Sequence, residues 1–406
     1  MNRNFRLLLS GQLVSQAGDK FHTIAVAFWI LETTGSSGKM GMVLAASLLP
    51  SVLVGVFSGA VIDRYSKKMI IVGTDAIRGT VLLMAAWLMA EGSMGFTMIL
   101  LLQAFLSVNA GFFDPSIPAV IPRIVDQTRL GRANAMHQTA VSLAMISGAA
   151  LGGMAVTGLG YVWIFALNGV SFLVSAGCES LIHIPGSRTK DSQDSLFYQI
   201  RAGYMLLLGS KRLMLVLFMV MAIHFFVGGI EVFMPMIANG IGDNGPKALG
   251  LFHAGLGCGT LAAAAMLSRL PITEKAETAL FSSVTAMGII QMLALFLPGT
   301  GPASVAGYTA CFFLWGCAMI RAAISFKTLL QTAAGEAFSG RVFALASTVG
   351  NGSIPAAMIA FGLLGEHITV DILLPVSGLV LSGLGLTAFT IFSGSRHDTE
   401  KCRPGI

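Results

Sequence analysis

The sequence predicts an all-α polytopic membrane protein with twelve transmembrane helices in two pseudo-symmetric six-helix halves. Three observations lead there. Only 11% of the 406 residues are charged and 55% are hydrophobic, whereas soluble domains carry roughly 25% charged residues. So few charges cannot clothe a water-soluble globule of this length, which excludes a soluble enzyme, a secreted disulfide scaffold and a disordered chain. Apolar runs between charge and Gly/Pro clusters divide the chain into twelve segments, and twelve spans of about 20 residues would use roughly 250 positions. Finally, one polar linker separates six segments from six.

The first six segments cover approximately 8–32, 41–62, 69–90, 94–115, 134–157 and 161–183. The second six cover approximately 213–238, 247–270, 276–298, 303–326, 341–363 and 371–393. The expected domains are therefore a half over 1–183, a linker over 184–212, a half over 213–393 and a tail over 394–406. The linker begins Pro185-Gly186-Ser187 and carries Arg188, Lys190, Arg201, Lys211 and Arg212; apolar spacing from Leu196 to Leu208 suits a helix lying on the membrane surface. The start, Met1 to Arg6, is basic like a signal peptide, but the apolar run continues to Leu31 with no small-residue cleavage site, so it reads as a retained first helix.

The net charge of +6 is explained by orientation rather than by nucleic acid. With the N-terminus cytoplasmic, twenty basic residues fall in inner loops and tails against only Lys39 and Lys247 outside, while Lys20, Arg78 and Arg321 fall within spans. That asymmetry obeys the positive-inside rule and places both termini in the cytoplasm. The five cysteines form an odd set with no CxxC pair, and four lie in apolar segments, which disfavours disulfides and a thiolate metal site.

A faint repeat supports the two halves. Gly131-Arg132-Ala133-Asn134-Ala135 opens segment five, and Gly340-Arg341-Val342-Phe343-Ala344 opens segment eleven 209 positions later. Asp19-Lys20-Phe21 in segment one likewise has an analogue in Glu231-Val232-Phe233 of segment seven, 212 positions on. Six helices repeated across a basic linker is a secondary-transporter arrangement.

The most specific stretch is Gly59-Ala60-Val61-Ile62-Asp63-Arg64-Tyr65-Ser66-Lys67-Lys68, between segments two and three. Gly59 permits close helix approach, and the charged turn can lock two helix ends. A plain positive-inside loop accounts for Arg64, Lys67 and Lys68, but not for Asp63 beside the membrane. The stretch matches the G-x-x-x-D-R-x-x-[RK]-[RK] signature, and the chain resembles the major facilitator superfamily. The resemblance continues through Asp75 and Arg78, Phe113-Asp114-Pro115 with Pro118 and Pro122, Arg132-Ala133-Asn134, Asn168-Gly169-Val170-Ser171-Phe172, and Gly340-Arg341-Val342-Phe343. It is most similar to the drug-efflux branch that includes macrolide exporters and the enterobactin exporter. This resemblance implies the major facilitator fold and a cytoplasmic gate in which Asp63 faces the start of the eleventh helix, near Arg341. Gly148-Ala149-Ala150-Leu151-Gly152-Gly153 departs from the superfamily's antiporter pattern, with Ala where the proline belongs, and reads more readily as close packing.

Ionisable groups inside spans are costly and are functional candidates by default. Asp19 lies mid-segment with His22 one turn on, and Glu231 lies deep in segment seven with His224 two turns earlier. By the resemblance, helices one, four, seven and ten line a central cavity, which Asp19 and Glu231 would face from the two halves. A carboxyl in a low-dielectric cavity can change charge near neutral pH, as a proton carrier must. The competing structural readings are ion pairs, Asp19 with Lys20 or Glu231 with Arg321. Asp75 and Arg78, one turn apart, are expected to pair within segment three. Asp114 and Glu179 are expected at the interface, and His137, His183 and His253 as packed or interfacial side chains.

No Walker A glycine loop suggests ATP, no HExxH or GxSxG motif suggests an enzyme, and no cofactor or metal is expected. The expected protein is a monomeric, proton-coupled exporter of amphipathic, drug-like small molecules in the bacterial inner membrane. An exporter of a siderophore or lysophospholipid would use the same frame. A divalent-metal transporter would instead exploit Asp19, His22, His224 and Glu231.

Overall fold

The computed structural model describes residues 2–184, 211–241, 245–267, 276–297 and 299–401. The expected surface helix of the linker, and Cys402, lie outside the described residues. Seven helices precede the linker: α1 (Arg3–Thr34), α2 (Ser37–Ala46), α3 (Leu49–Arg64), α4 (Lys67–Ala90), α5 (Phe96–Ile124), α6 (Leu130–Leu159) and α7 (Tyr161–Ser180). After it come α8 (Lys211–Gly240), α9 (Gly245–Leu267), α10 (Ala276–Met292), α11 (Pro302–Leu364) and α12 (Val370–Lys401). Among the described residues, ten helical spans are long and apolar enough to cross a membrane, Ser37–Gly55 one of them, and Thr348–Leu364 is a shorter apolar stretch. The chain is a multi-pass membrane protein.

Local chemistry explains the boundaries. Asn2 caps α1 by accepting from the Phe5 N–H, and Ser36 caps α2 by accepting from Lys39. Between them Gly35 closes α1 at φ 62, a left-handed conformation that glycine adopts without a Cβ penalty. The second segment is divided into α2 and α3 because Pro50, in the first turn of α3, cannot donate a backbone hydrogen bond. The Ser51 N–H beyond the break donates to Ser107 Oγ of α5 at 3.0 Å.

Two expected boundaries move. Segment four ends at Pro115 by sequence, yet α5 runs on to Ile124 with Pro115, Pro118 and Pro122 inside it. An interior proline costs about 3 kcal/mol or more. Phe113, Ile117, Val120, Ile121 and Ile124 repay it by packing with Phe5, Leu8 and Ile71, each such side chain contributing roughly 1.5–3 kcal/mol where it leaves water. Segments ten and eleven both fall within the helical stretch α11, whose apolar parts are Pro302–Leu329 and Thr348–Leu364.

The chain sorts into two compact units. One comprises residues 1–192 with Glu231–Ala254 and Met358–His367; the other holds Gln193–Ile230, Gly255–Ala357 and Ile368–Ile406. In the first, α1 packs on α6 and α7, α4 on α5 and α7, and α3 on α5. In the second, α10 packs along α12.

The first unit thus includes the end of α8, the start of α9 and the end of α11. They close on α2 and α6 at the end of the helices away from the Asp63 turn. A Cβ at Gly41 would meet the Met358 carbonyl oxygen at 2.3 Å, and one at Gly153 would meet that of Pro246 at 2.0 Å. Ser37 Oγ donates to the Gly362 carbonyl at 3.0 Å, and the Gly38 N–H donates to Glu366 Oε1 at 2.7 Å. Glycine brings the backbones into contact at these points.

Candidate transport cavity

A cavity of about 300 Å³ opens inside the first unit, lined by Asp19, Lys20, His22, Arg78, Gln103 and Asp114 together with several serines. The break at Ser47–Leu48 shapes one wall, since Ser47, Leu48, Ser51 and Ser107 all line it. Polar groups at this density amid apolar helices mark a pathway or a binding site.

Asp19 is half-buried in α1 and accepts from Asn168 Nδ2 of α7 at 3.4 Å. Asn168 is fully buried and its own Oδ1 accepts from Ser171 Oγ at 3.2 Å, so the amide is aimed at the carboxylate. His22 lines the same cavity, one turn along α1. Its Nε2 meets the Gln103 amide at 2.8 Å, and its ring stands edge-on to Phe165 with centroids 4.5 Å apart. These two contacts hold the imidazole in place, with its Nδ1 buried and without a hydrogen-bond partner.

Arg78 connects the cavity to the helix packing behind it. Its guanidinium lies 3.8 Å from Asp75 Oδ1 and between two rings, 4.8 Å from the centroid of Phe113 and 5.3 Å from that of Phe172. Aromatic faces attract a desolvated cation. Asp114, expected at the interface, is exposed and lines the cavity together with Arg78. Glu179 also departs from the expectation: it is 0% exposed, packed among the helices with Asp75, Arg78 and Gln12 near it.

Glu231 and Lys20 both lie within electrostatic reach of His253 on α9. His224 Nδ1 pairs with the Val220 carbonyl of its own helix at 2.9 Å. Arg321 donates to Ser282 Oγ at 2.9 Å and Ser283 Oγ at 3.1 Å.

At the turn after α3, Lys67 is buried and its ammonium donates to the Ile62 carbonyl at 3.1 Å, tying α4 to the end of α3. Arg64 is exposed and Lys68 half-buried. The surroundings of Gly59 and the side chains of Asp63 and Arg341 lie outside what the structure describes. The small-residue stretch of α6 makes packing contacts: added Cβ atoms at Gly148 and Gly152 would press on Lys20 and Phe21 of α1 within 2.9 and 3.2 Å.

Sequence reasoning missed Gln103, the contact of Asn168 with Asp19, the place of Asp114 on the cavity wall and the burial of Glu179. Neutral amides barely lower the hydropathy of a span. Asp114 and Glu179 lie near helix ends, where a charge is unremarkable.

Fold and cavity together define a major facilitator transporter, not an enzyme. The family described as "Transmembrane secretion effector" matches residues 1–401, and the chain belongs to it. Macrolide efflux protein A of Streptococcus pyogenes is 23% identical over 393 residues, covering 93% of each chain. The multidrug efflux pump Tap of Mycobacterium bovis is 27% identical over 183 residues, 43% of each. A variant of the nucleoside transporter NupG superposes with a TM-score of 0.78 at 14% identity, over 97% of this chain and 99% of that one.

Proposed function

We propose that this protein exports amphipathic, drug-like small molecules from the bacterial cytoplasm by alternating access, driven by the proton gradient. The observation that carries this reading is the polar cavity with Asp19, Arg78 and Asp114 on its walls. A lipophilic cation would place its charge against the carboxylates and its apolar body against Phe113, Phe172 and Leu106. The efflux activities named for its relatives support the direction of transport. Asp19 is the substrate-facing carboxylate on which coupling to the gradient depends, Glu231 serves the second half in a lesser role, and the Asp63 turn gates the cytoplasmic side. The protein works as a monomer with both termini in the cytoplasm.

The metal-transporter reading gains no support, because no three His, Cys, Asp or Glu side chains gather as a metal site among the described residues. The test is ethidium uptake into inverted membrane vesicles with an imposed pH gradient. Uptake that a protonophore abolishes is the expected result. If no compound in a panel of lipophilic cations, macrolides, siderophores and lysolipids responds to the gradient, the reading fails.

A further inference from the structure

Behind the cavity, on the far side of Arg78, lie two carboxyls that the transport reading leaves unused. Asp75 on α4 and Glu179 on α7 are both 0% exposed. None of their four carboxylate oxygens makes a hydrogen bond of normal geometry. Their nearest donors, Ser175 Oγ for Asp75 and Gln12 Nε2 for Glu179, are themselves buried and unmatched. The cation shared by this group is Arg78, 3.8 Å from Asp75 and within electrostatic reach of Glu179. The other charges that act on it sit in the cavity: Asp19 on α1 and Asp114 on α5 both act on Asp75, with Lys20 beside Asp19 and the clamped His22 one turn away.

Isolated charges are costly in such a setting, and a group that cannot be paired neutralises itself instead. Two buried carboxyls against one arginine leave one negative charge without a partner. Arg78 also has two nitrogens, Nε and Nη2, with no hydrogen-bond partner, so its guanidinium can respond to charge on either side.

We propose that Asp75 and Glu179 form a proton-holding pair, one proton per pair, which exchanges with the cavity under the control of Arg78. The inference rests on the proton-coupled reading above and names where the proton waits. A cation entering beside Asp19 and Asp114 takes up their negative charge and drives Arg78 toward the pair. Both carboxyls then ionise: the O–H bond of the protonated one breaks, the electron pair stays on oxygen, and the proton passes to cavity water. Loss of the cation reverses each step. Substrate and proton thus exclude each other without sharing a binding atom.

The experiment is infrared spectroscopy of the full-length protein in lipid nanodiscs at neutral pH, reading the carboxylic-acid C=O stretch. The wild type should show a band that disappears on adding tetraphenylphosphonium, with release of a proton to the medium. Glu179→Gln and Asp75→Asn should each lose the band, because each leaves one carboxylate for one arginine; Asp19→Asn should keep it. If Glu179→Gln does not fold, Asp75→Asn carries the same expectation, and carboxyl-labelled glutamate in the wild type should shift the band. No band in the wild type, or a band that survives both substitutions, overturns the pair. Gradient-driven efflux without the band sinks this inference and leaves the proposed function standing. The band without gradient-driven efflux of any panel compound does the reverse.

Discussion

Glu366 Oε1 accepts the backbone N–H of Gly38 at 2.7 Å, where α2 begins. The Ser36 hydroxyl is a second donor to the same carboxylate oxygen. A carboxylate at a helix N-terminus satisfies orphan donors and meets the positive end of the dipole. Glu366 therefore latches the end of α11 to the start of α2, and the alternating access proposed above would have to open it.

The first prediction concerns that latch. The Ser36 hydroxyl first, and the Gly38 N–H second, hold the Glu366 carboxyl below the usual carboxylate range. A lowered value means the contact is intact above the ordinary carboxylate range and is lost as pH falls through the lowered value. Such a charge–dipole contact contributes about 0.3–1 kcal/mol, so Glu366→Gln should shift the open–closed balance by about two- to fivefold. Thiol labelling of a cysteine placed at Thr34 reads this shift. Identical labelling for variant and wild type, at neutral pH and in acid, rules the latch out.

A second substitution tests the same closure by shape. A Cβ at Gly41 has no room against the Met358 carbonyl, which lies 2.3 Å away. Overpacking of this kind costs about 1–3 kcal/mol. Gly41→Ala should therefore open this end, raise labelling at Thr34 and slow turnover, with expression retained. Normal turnover together with unchanged labelling would show that the two backbones separate at no cost.

Asp19→Asn should abolish gradient-driven efflux while preserving substrate binding and energy-independent exchange. The amide keeps the contact with Asn168, so the cavity wall stays in place. Efflux and exchange in proteoliposomes separate the two processes. A variant that still pumps at the wild-type rate, with unchanged pH dependence, removes Asp19 from the mechanism. Glu231→Gln should show a milder version of the same defect.

Asp63 stands in the last turn of α3, where its own helix dipole disfavours a negative charge. The gate that the motif implies, and that is proposed above, would offset this unfavourable placement. Asp63→Asn should lower turnover several-fold and leave ligand binding and thermal stability within about 1 kcal/mol of wild type. Wild-type turnover with unchanged accessibility of the cytoplasmic loops would retire the gate.

Much of this molecule was determined by the sequence alone. Charge scarcity and twelve apolar stretches dictate a multi-pass helical protein, because only internally hydrogen-bonded backbone can cross lipid. Asp19 and His22 stand out as cavity candidates because polar groups within spans are expensive, whereas Arg78 is expected only to pair with Asp75. Gly35 and Pro50 end and begin helices through backbone chemistry, yet segment two, read as one apolar run over 41–62, passes straight across Pro50. Tertiary structure decided which polar groups face one another. Gln103 and Asn168 become partners of His22 and Asp19 only when α5 and α7 pack beside α1. Glu179 sits close to a helix end in the sequence, and only packing against α1 and α4 takes it out of reach of water. The physical reason is range. Hydropathy and helix periodicity sum over neighbours in the chain, whereas burial and charge pairing depend on side chains far apart in it, 149 positions for Asp19 and Asn168 and 330 for Ser36 and Glu366.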